Sequence, residues 1–336
     1  MKHIPSEIWT QICSEACTDT GFTGLSLSLV SKFVRAASEP FKLQSVALFG
    51  PYRIIAFDSF LLEVPAHLRR IRYLFISYHS LPTDGVKASR SHQAVVEGQM
   101  HMSEAIQRIL ANAADYVEVL EIHAPSVTLY NTPNEPIPLI PLIPFPRLAD
   151  LATYVNNHPL HRLDRIPADM DGNSERPLYP RLRKWHLTQE PLGIAYDSTK
   201  MFERISELAP FLTHLRVSRI RQNPSLLIDL AVGLGIEYFH HGTETEFGRL
   251  PSSVQKVYLK PSSSCSRGER GIARGNYITA MMVLRDLNQL GDERLVVLKP
   301  YEAAEESARD RHWDGRLGIS GSRRGGMLEP SGQAAI

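Results

Sequence analysis

The 336-residue sequence lacks several features that mark common protein classes. It contains only three cysteines, Cys13, Cys17 and Cys265, an odd number without the spacing of a disulfide framework. Such sparse cysteine is typical of proteins from a reducing compartment. Lysine and arginine number 37 against 36 aspartates and glutamates, so the formal charge is only +1. Without a basic excess, neither nucleic acid nor an anionic membrane is expected as a partner.

Long hydrophobic runs are also missing. No stretch approaches the roughly 20 consecutive apolar residues that a membrane-spanning helix needs. The nearest, PIPLIPLIPFP at 136–146, is short and interrupted by prolines. The first residues, MKHIPSEIWTQ, carry a proline and polar side chains where a secretory signal has an unbroken apolar segment. We therefore expect a protein of the cytoplasm or nucleus that does not enter a membrane.

No catalytic or metal-binding signature stands out. The motifs GxSxG, HExxH and GxGxxG are absent, so an active site would have to be assembled from scattered residues. Three groups of histidine and cysteine each lack the further ligands that a zinc site requires. These groups are Cys13 and Cys17 with His3, His158 with His161, and the doublet His240–His241. The sequence predicts a non-catalytic protein without metal or cofactor, and Cys13 and Cys17 are predicted to be core residues.

Two amphipathic helices are predicted in the first fifty residues. Pro5 suits the first turn of a helix and pushes Ile4 toward extended geometry, so the first helix begins near Pro5. Ile8 and Ile12, four residues apart, give it an apolar stripe. After a turn at TDTGFTG, a second helix over LSLSLVSKFVRAAS carries a second stripe: Leu29, Val30, Phe33, Val34 and Ala37. Helices this short bury little surface alone, so they need a further element or a partner.

The same residues resemble the F-box. IPSEI at 4–8, the apolar Ile12 and SLVSKFVRAAS are similar to the F-box pattern of Leu-Pro-x-Glu-Ile, a spacer and a second helix. The longer run at 16–50 resembles F-box-like proteins that are numerous in basidiomycete fungi. The resemblance implies that residues 4–37 dock on the Skp-type adaptor of a cullin-based ubiquitin ligase. The implied adaptor-binding residues are Ile4, Pro5, Ile8, Ile12, Leu29, Val30 and Phe33.

The local pattern by itself leaves a second possibility. Apolar helix faces are usually core, so both stripes could pack on the following region as an N-terminal cap. Alternatively, a two-helix module with more apolar surface than it can bury internally presents part of it outward to a partner. The two alternatives differ in whether the large apolar side chains of the stripes are buried or exposed.

Beyond residue 50, a short apolar signature repeats. The pattern apolar-x-x-apolar-x-apolar is that of leucine-rich-repeat strands. It occurs in IRYLFI, VEVLEI, LRKWHL, LTHLRV and VQKVYL, which begin at Ile71, Val117, Leu182, Leu212 and Val254. Weaker copies begin at Leu148 and Leu295, and successive starts lie 30 to 46 residues apart. The consensus asparagine or cysteine is missing, so the repeats are leucine-rich-repeat-like only.

Helical patterns lie between the strand signatures. They include DSFLLEVPAHL, MSEAIQRILANAADY, TKMFERISELAPFL and NYITAMMVLRDLNQL. Alternation of strand and helix predicts parallel strands with helical crossovers, stacked as an irregular strand–helix solenoid. The predicted fold class is α/β, with three regions: a helical F-box-like module at 1–50, the repeat region at 51–301 and a tail at 302–336 that is expected to be disordered. Segments 85–99 and 163–177 are predicted to be loop insertions.

Two functions follow from this organisation. In the first, the chain is the substrate-recognition subunit of a Skp–cullin–F-box ubiquitin ligase: the N-terminal module binds the adaptor and the solenoid binds a protein target. In the second, the chain is a scaffold or interaction protein whose F-box-like segment is only a structural cap. Both are binding functions, in which any catalysis belongs to partner subunits.

Overall fold

A computed structural model describes residues 5–19, 21–77, 92–123, 140–154, 177–188, 198–221, 224–236, 248–263 and 271–301. The α-helices in these segments are α1 Ser6–Ala16, α2 Phe22–Val30, α3 Lys32–Ser38, α4 Pro51–Glu63, α5 His92–Ala113, α6 Ser198–Leu208, α7 Pro224–Gly233 and α8 Ile272–Gln289. The strands are β1 Ser45–Phe49, β2 Tyr73–Ser77, β3 Val119–His123, β4 Asp150–Tyr154, β5 Lys184–Thr188, β6 His214–Ile220, β7 Lys256–Pro261 and β8 Leu295–Val297. The predicted tail at 302–336 lies outside the described residues.

The eight strands of the described segments form one open parallel sheet in chain order, β1 to β8. The first residues of β1 to β5 are direct register partners: Ser45, Tyr73, Val119, Asp150 and Lys184. Each of the seven apolar signatures therefore contains a strand. The predicted α/β class with parallel strands is confirmed. Parallel strands need a crossover connection, and helices α4 to α8 lie between strands along the chain.

The core lies between one face of the sheet and these helices. In the five full copies of the signature all three apolar positions are buried, as in Ile71, Leu74 and Ile76 around β2. The last two point to the same face because side chains alternate along a strand. They share one apolar cluster with helix residues such as Ile106 and Ile109 of α5. The apolar positions of the signature are the positions that the fold buries, and for this reason the pattern predicts where the strands lie.

Four local differences separate the structure from the sequence prediction. Strand β1 pairs with β2 although it lies within the predicted helical module. Helix α7 was not predicted. Residues 92–99, expected to be part of a loop insertion, form the start of α5. The expected second helix is two helices, α2 and α3, separated at Ser31.

The break at Ser31 has a clear local cause. Ser31 is extended, with φ −163° and ψ 164°, and its hydroxyl accepts a hydrogen bond from the Val34 amide at 3.1 Å. Serine favours such a capping position over a helix interior because its side chain satisfies an otherwise unpaired amide. The Arg35 Nε then donates to the Ser28 carbonyl at 2.7 Å. This hydrogen bond joins α3 to α2 across the break.

Within the described segments, no helix combines the length and the apolar character needed to cross a bilayer.

Candidate functional site

The N-terminal helices expose an unusual concentration of large apolar side chains. Seven of the eighteen large hydrophobic residues that are exposed in the described segments lie between residues 8 and 33. They are Ile8, Ile12, Phe22, Leu25, Leu29, Val30 and Phe33. We call these seven side chains the apolar surface of α1–α3. Leu29 and Val30 retain 73% and 67% of their accessible area, which is far from the burial of core residues.

Helical spacing orders this apolar surface into two stripes. Ile8 and Ile12 lie four residues apart on α1, and the neighbouring Trp9 contacts Phe33 of α3 edge-on, with ring centroids 6.2 Å apart. That contact places Phe33 beside the α1 stripe. On α2, Phe22, Leu25 and Leu29 share a face at i, i+3 and i+7.

The three helices have little interior of their own. Cys13 and Cys17 are buried, as predicted, and so is Val34. Burial raises the pKa of both thiols, that of Cys17 to about 11, so they are neutral side chains of the interior. Gly24 is also buried, and a Cβ there would lie 3.0 Å from the Lys42 carbonyl oxygen. Gly24 thus lets α2 approach the backbone at Lys42 closely, while the large apolar side chains stay exposed.

Asp19 organises the start of α2. Its carboxylate accepts hydrogen bonds from the Gly21 amide at 3.0 Å and from the Thr23 amide at 3.0 Å and hydroxyl at 2.6 Å. Gly21 has φ +92°, and a Cβ there would meet the Ser45 carbonyl oxygen at 2.9 Å. Glycine is required here because other residues avoid positive φ and the approach is so close. The turn that the sequence predicted is therefore a helix cap.

Hydrogen bonds attach these helices to the edge of the sheet. Gln44 Nε2 donates to the Ser14 carbonyl at 2.7 Å, and the Ser45 hydroxyl donates to the Asp19 carbonyl. The Gln44 carbonyl in turn accepts from the Arg72 and Tyr73 amides. Because Gln44 bonds both α1 and the start of β2, the helices are held through backbone and polar contacts. Their large apolar side chains are left out of this attachment.

The predicted adaptor-binding residues can now be located. Pro5 is exposed at the start of α1, and Ile8, Ile12, Leu29, Val30 and Phe33 all belong to the apolar surface. Ile4 lies outside the described residues. Sequence reasoning missed Phe22 and Leu25, although their spacing to Leu29 is a helical signal. It had assigned Phe22 to the turn before the second helix.

A second group of polar residues lies on the other face of the sheet. On β3, His123 Nε2 lies 2.8 Å from Glu121 Oε1, and both side chains are buried. On the neighbouring strands β5 and β6, His186 Nε2 lies 2.8 Å from the Ser218 hydroxyl. Arg216 Nε also donates to that hydroxyl, at 3.1 Å. Burial raises the pKa of Glu121 to about 9, so Glu121 retains its proton at neutral pH.

These pairs do not make an accessible active site. A serine beside a histidine has the geometry of an activated nucleophile. However, Ser218 is 0% exposed, and Arg216 already donates to its hydroxyl. No group of three histidine, cysteine or carboxylate side chains suited to a metal ion occurs among the described residues. His158, His161 and the doublet His240–His241 lie outside those residues. The polar pairs are best understood as buried, mutually satisfied groups of the sheet.

Among the described parts of the chain, the apolar surface of α1–α3 is the strongest candidate for binding another protein. Comparison of the chain with protein-family models finds no match, and neither curated proteins nor solved structures match it significantly.

Proposed function

We propose that this protein is the substrate-recognition subunit of a Skp–cullin–F-box type ubiquitin ligase. In this proposal the apolar surface of α1–α3 docks on the Skp-type adaptor, which links the chain to a cullin scaffold. The observation that carries the proposal is the exposure of five implied docking residues: Ile8, Ile12, Leu29, Val30 and Phe33. The resemblance of residues 4–50 to F-box-like proteins supplies the identity of the partner.

Exposure of the two stripes favours docking over the cap alternative. A cap stabilises a fold by burying its apolar stripe against the fold, at about 25 cal/mol per Å² of apolar area removed from water. Here the helices attach to the sheet through Gln44 and Ser45 and leave the large apolar side chains in solvent. Exposed apolar patches that exceed single scattered residues are typical of protein-binding surfaces. The cap alternative offers no reason for their exposure.

The sheet region supplies the second half of the proposal. Parallel strands in chain order, with helices between them, are what a leucine-rich-repeat-like solenoid consists of. Such arrays offer extended surfaces for partners, so we assign this region to a protein target. Catalysis of ubiquitin transfer then belongs to the partner subunits, and this chain contributes proximity. This role also places it in the cytoplasm or nucleus, where its thiols stay reduced.

The test is adaptor binding by the full chain with a matched pair of double variants. Ile8→Asp/Phe33→Asp alters the stripe next to Trp9, and Ile278→Asp/Met282→Asp introduces the same charges at similarly exposed apolar positions of α8. Binding to a purified basidiomycete Skp-type adaptor is measured by pull-down and by calorimetry. Each docking side chain has about half of its area left to bury, worth roughly 1 kcal/mol. The docking variant should therefore lose about 30- to 100-fold in affinity, whereas the α8 variant should bind like wild type.

Circular dichroism and thermal unfolding of both variants serve as the folding control. Equal adaptor affinity of wild type and the docking variant would refute docking through this surface. No adaptor binding by folded wild type would leave the scaffold alternative, with the F-box-like helices as part of the fold only. Unfolding of the docking variant alone would support the cap alternative.

A further inference from the structure

Three arginines line a cleft at the amino-terminal edge of the sheet, where β3, β4 and β5 begin. The cleft has a volume of about 580 Å³ and is lined by Glu118, Pro146, Arg147, Ala149, Arg181 and Arg183. It lies among the residues that immediately precede the strands. It is therefore distinct from the apolar surface of α1–α3 and from the buried polar pairs.

The repeat itself places these arginines together. Pro-Arg-Leu occurs at 146–148 and again at 180–182, each time three residues before a register-paired strand start, Asp150 and Lys184. The leucines are buried and anchor the two segments in the core. Arg147 and Arg181 therefore occupy equivalent positions on adjacent repeats, whose strands are about 4.8 Å apart. One repeat register thus brings the two guanidinium groups to the same cleft.

A small residue opens the space between them. The positions just before β3, β4 and β5 are Glu118, Ala149 and Arg183, and backbone hydrogen bonds join them in a row. The Ala149 amide donates to the Glu118 carbonyl and the Arg183 amide donates to the Ala149 carbonyl, each at 2.8 Å. Ala149, whose side chain is only a methyl group, leaves room between these two long side chains and lines the cleft.

The one carboxylate in the lining is already neutralised. Arg72 holds Glu118 with two hydrogen bonds of 2.9 Å, from Nε to Oε1 and from Nη2 to Oε2. The nearby Asp150 lies 3.5 Å from Lys184 Nζ. Both acidic groups therefore have their own cationic partners. Among the described residues, no carboxylate compensates the positive charge of the three cleft arginines.

The arginines are positioned but keep donors for a ligand. Arg183 stacks over the Phe211 ring at 5.6 Å and donates from Nη1 to the Phe211 carbonyl at 2.8 Å, which leaves its Nε and Nη2 unused. Arg147 lies over the Tyr116 ring at 5.6 Å. Neither Arg147 nor Arg181 forms an ion pair with any acidic side chain of the described segments. Guanidinium groups held on aromatic rings, with free N–H groups, are well suited to bind oxyanions in a bidentate manner.

We propose that this cleft binds an oxyanion-bearing segment of a partner protein, either a phosphorylated side chain or clustered carboxylates. A peptide is favoured over a nucleic acid because the chain as a whole is nearly neutral, with a net charge of +1, and the cleft itself offers three arginines. A nucleic-acid surface would instead show a basic stripe along many phosphates. The inference does not depend on adaptor docking. If the proposed function is correct, the cleft is where the target is read.

The experiment uses the full chain and fluorescence polarisation at low salt. The probes are three fluorescein-labelled Gly-Ser heptapeptides that carry two phosphoserines, two glutamates or two unmodified serines at the same positions. Arg147→Gln/Arg181→Gln removes two cleft charges, and Arg53→Gln/Arg274→Gln removes two charges from exposed positions of α4 and α8. Inorganic phosphate is added as a competitor. Thermal unfolding shows that all variants are folded.

Wild type should bind the phosphoserine peptide at least tenfold more tightly than the serine peptide. The cleft variant should lose at least tenfold in affinity, and the control variant should stay within twofold of wild type. Preference for the phosphoserine peptide over the glutamate peptide identifies the phosphorylated source, and the reverse preference identifies the acidic one.

Equal losses in both double variants, full displacement by equimolar phosphate, or tighter binding of duplex RNA than of any peptide would overturn the proposal. So would the absence of binding to all three peptides by folded wild type. None of these outcomes involves the adaptor, so the two proposals can fail separately.

Discussion

Replacing Glu121 by glutamine should remove much of the pH dependence of stability above neutral pH. Glu121 lies on β3 in the interior of the protein, with Oε1 only 2.8 Å from His123 Nε2. Burial disfavours the carboxylate and raises the pKa of Glu121 to about 9. The folded protein therefore keeps a proton on Glu121 at a pH where the unfolded chain has released it.

The sign and size of the effect follow from counting protons. In the folded state Glu121 keeps its proton up to about pH 9. In the unfolded chain, glutamate has a pKa of about 4.3, so well above that pH it has released the proton. The free energy of unfolding thus falls as the pH rises from about 4.3 to 9, by at most about 1.4 kcal/mol per pH unit. Over two pH units within this range, Glu121 removes about 2–3 kcal/mol of stability.

Urea unfolding between pH 6.5 and 8.5 measures this effect. Wild type should lose about 2–3 kcal/mol more than Glu121→Gln over this range, since the glutamine cannot ionise. Glu207→Gln removes an exposed carboxylate that is paired with Arg204, and it should keep the wild-type slope. Other titrating groups are common to all three proteins and cancel in the comparison. Parallel slopes for wild type and Glu121→Gln would refute the reasoning.

Two further predictions concern the N-terminal helices. Ser31→Ala removes the cap of α3 and should lower the free energy of unfolding by about 1 kcal/mol in urea titrations, with Ser26→Ala inside α2 as the control; an unchanged midpoint would contradict the capping role. Cys13 and Cys17 should resist alkylation by iodoacetamide at pH 7.5 until denaturant is added, because both thiols are buried with raised pKa values. Peptide mass spectrometry reads out the modification, and rapid labelling of either thiol in the native protein would contradict this prediction.

The strands were predictable because their pattern and their burial coincide. Three apolar positions in six residues locate β2, β3, β5, β6 and β7, and the weaker copies at Leu148 and Leu295 locate β4 and β8. Strand β1 fits the same rule, with Leu43, Val46 and Leu48 at the required spacing. It was missed because those residues had been included in the F-box-like segment. A repeat search that ignored the module boundary would have found it.

Helices were harder to delimit for identifiable reasons. Helix α7 is buried on nearly all sides, through Leu226, Leu227, Leu230 and Ala231, and so lacks the polar face that makes a helical period visible. The break at Ser31 depends on one hydroxyl capping one amide, which an apolar stripe running through 29–34 conceals. Local chemistry overrode the periodicity there.

For the apolar surface, sequence could name residues but not decide their exposure. Leu29 and Val34 belong to the same predicted stripe, yet Leu29 is exposed and Val34 is buried. The difference arises because the stripe is divided between two helices. The arginine cleft was not foreseen at all, although Pro-Arg-Leu is visible twice in the sequence. Its significance depends on strand register and on the pairing of Glu118 with Arg72, and both are three-dimensional facts.

The strict register of the sheet coexists with very uneven spacing along the chain. From Ser45 to Tyr73 is 28 residues and from Tyr73 to Val119 is 46, yet both pairs are direct partners. The connections therefore differ in length, while the register of the strands stays the same. Doubling a connection adds only about 0.6 kcal/mol of closure entropy. In evolutionary terms, the connecting segments of such a protein can be lengthened and replaced freely, so new recognition surfaces can arise while the frame that holds them stays unchanged.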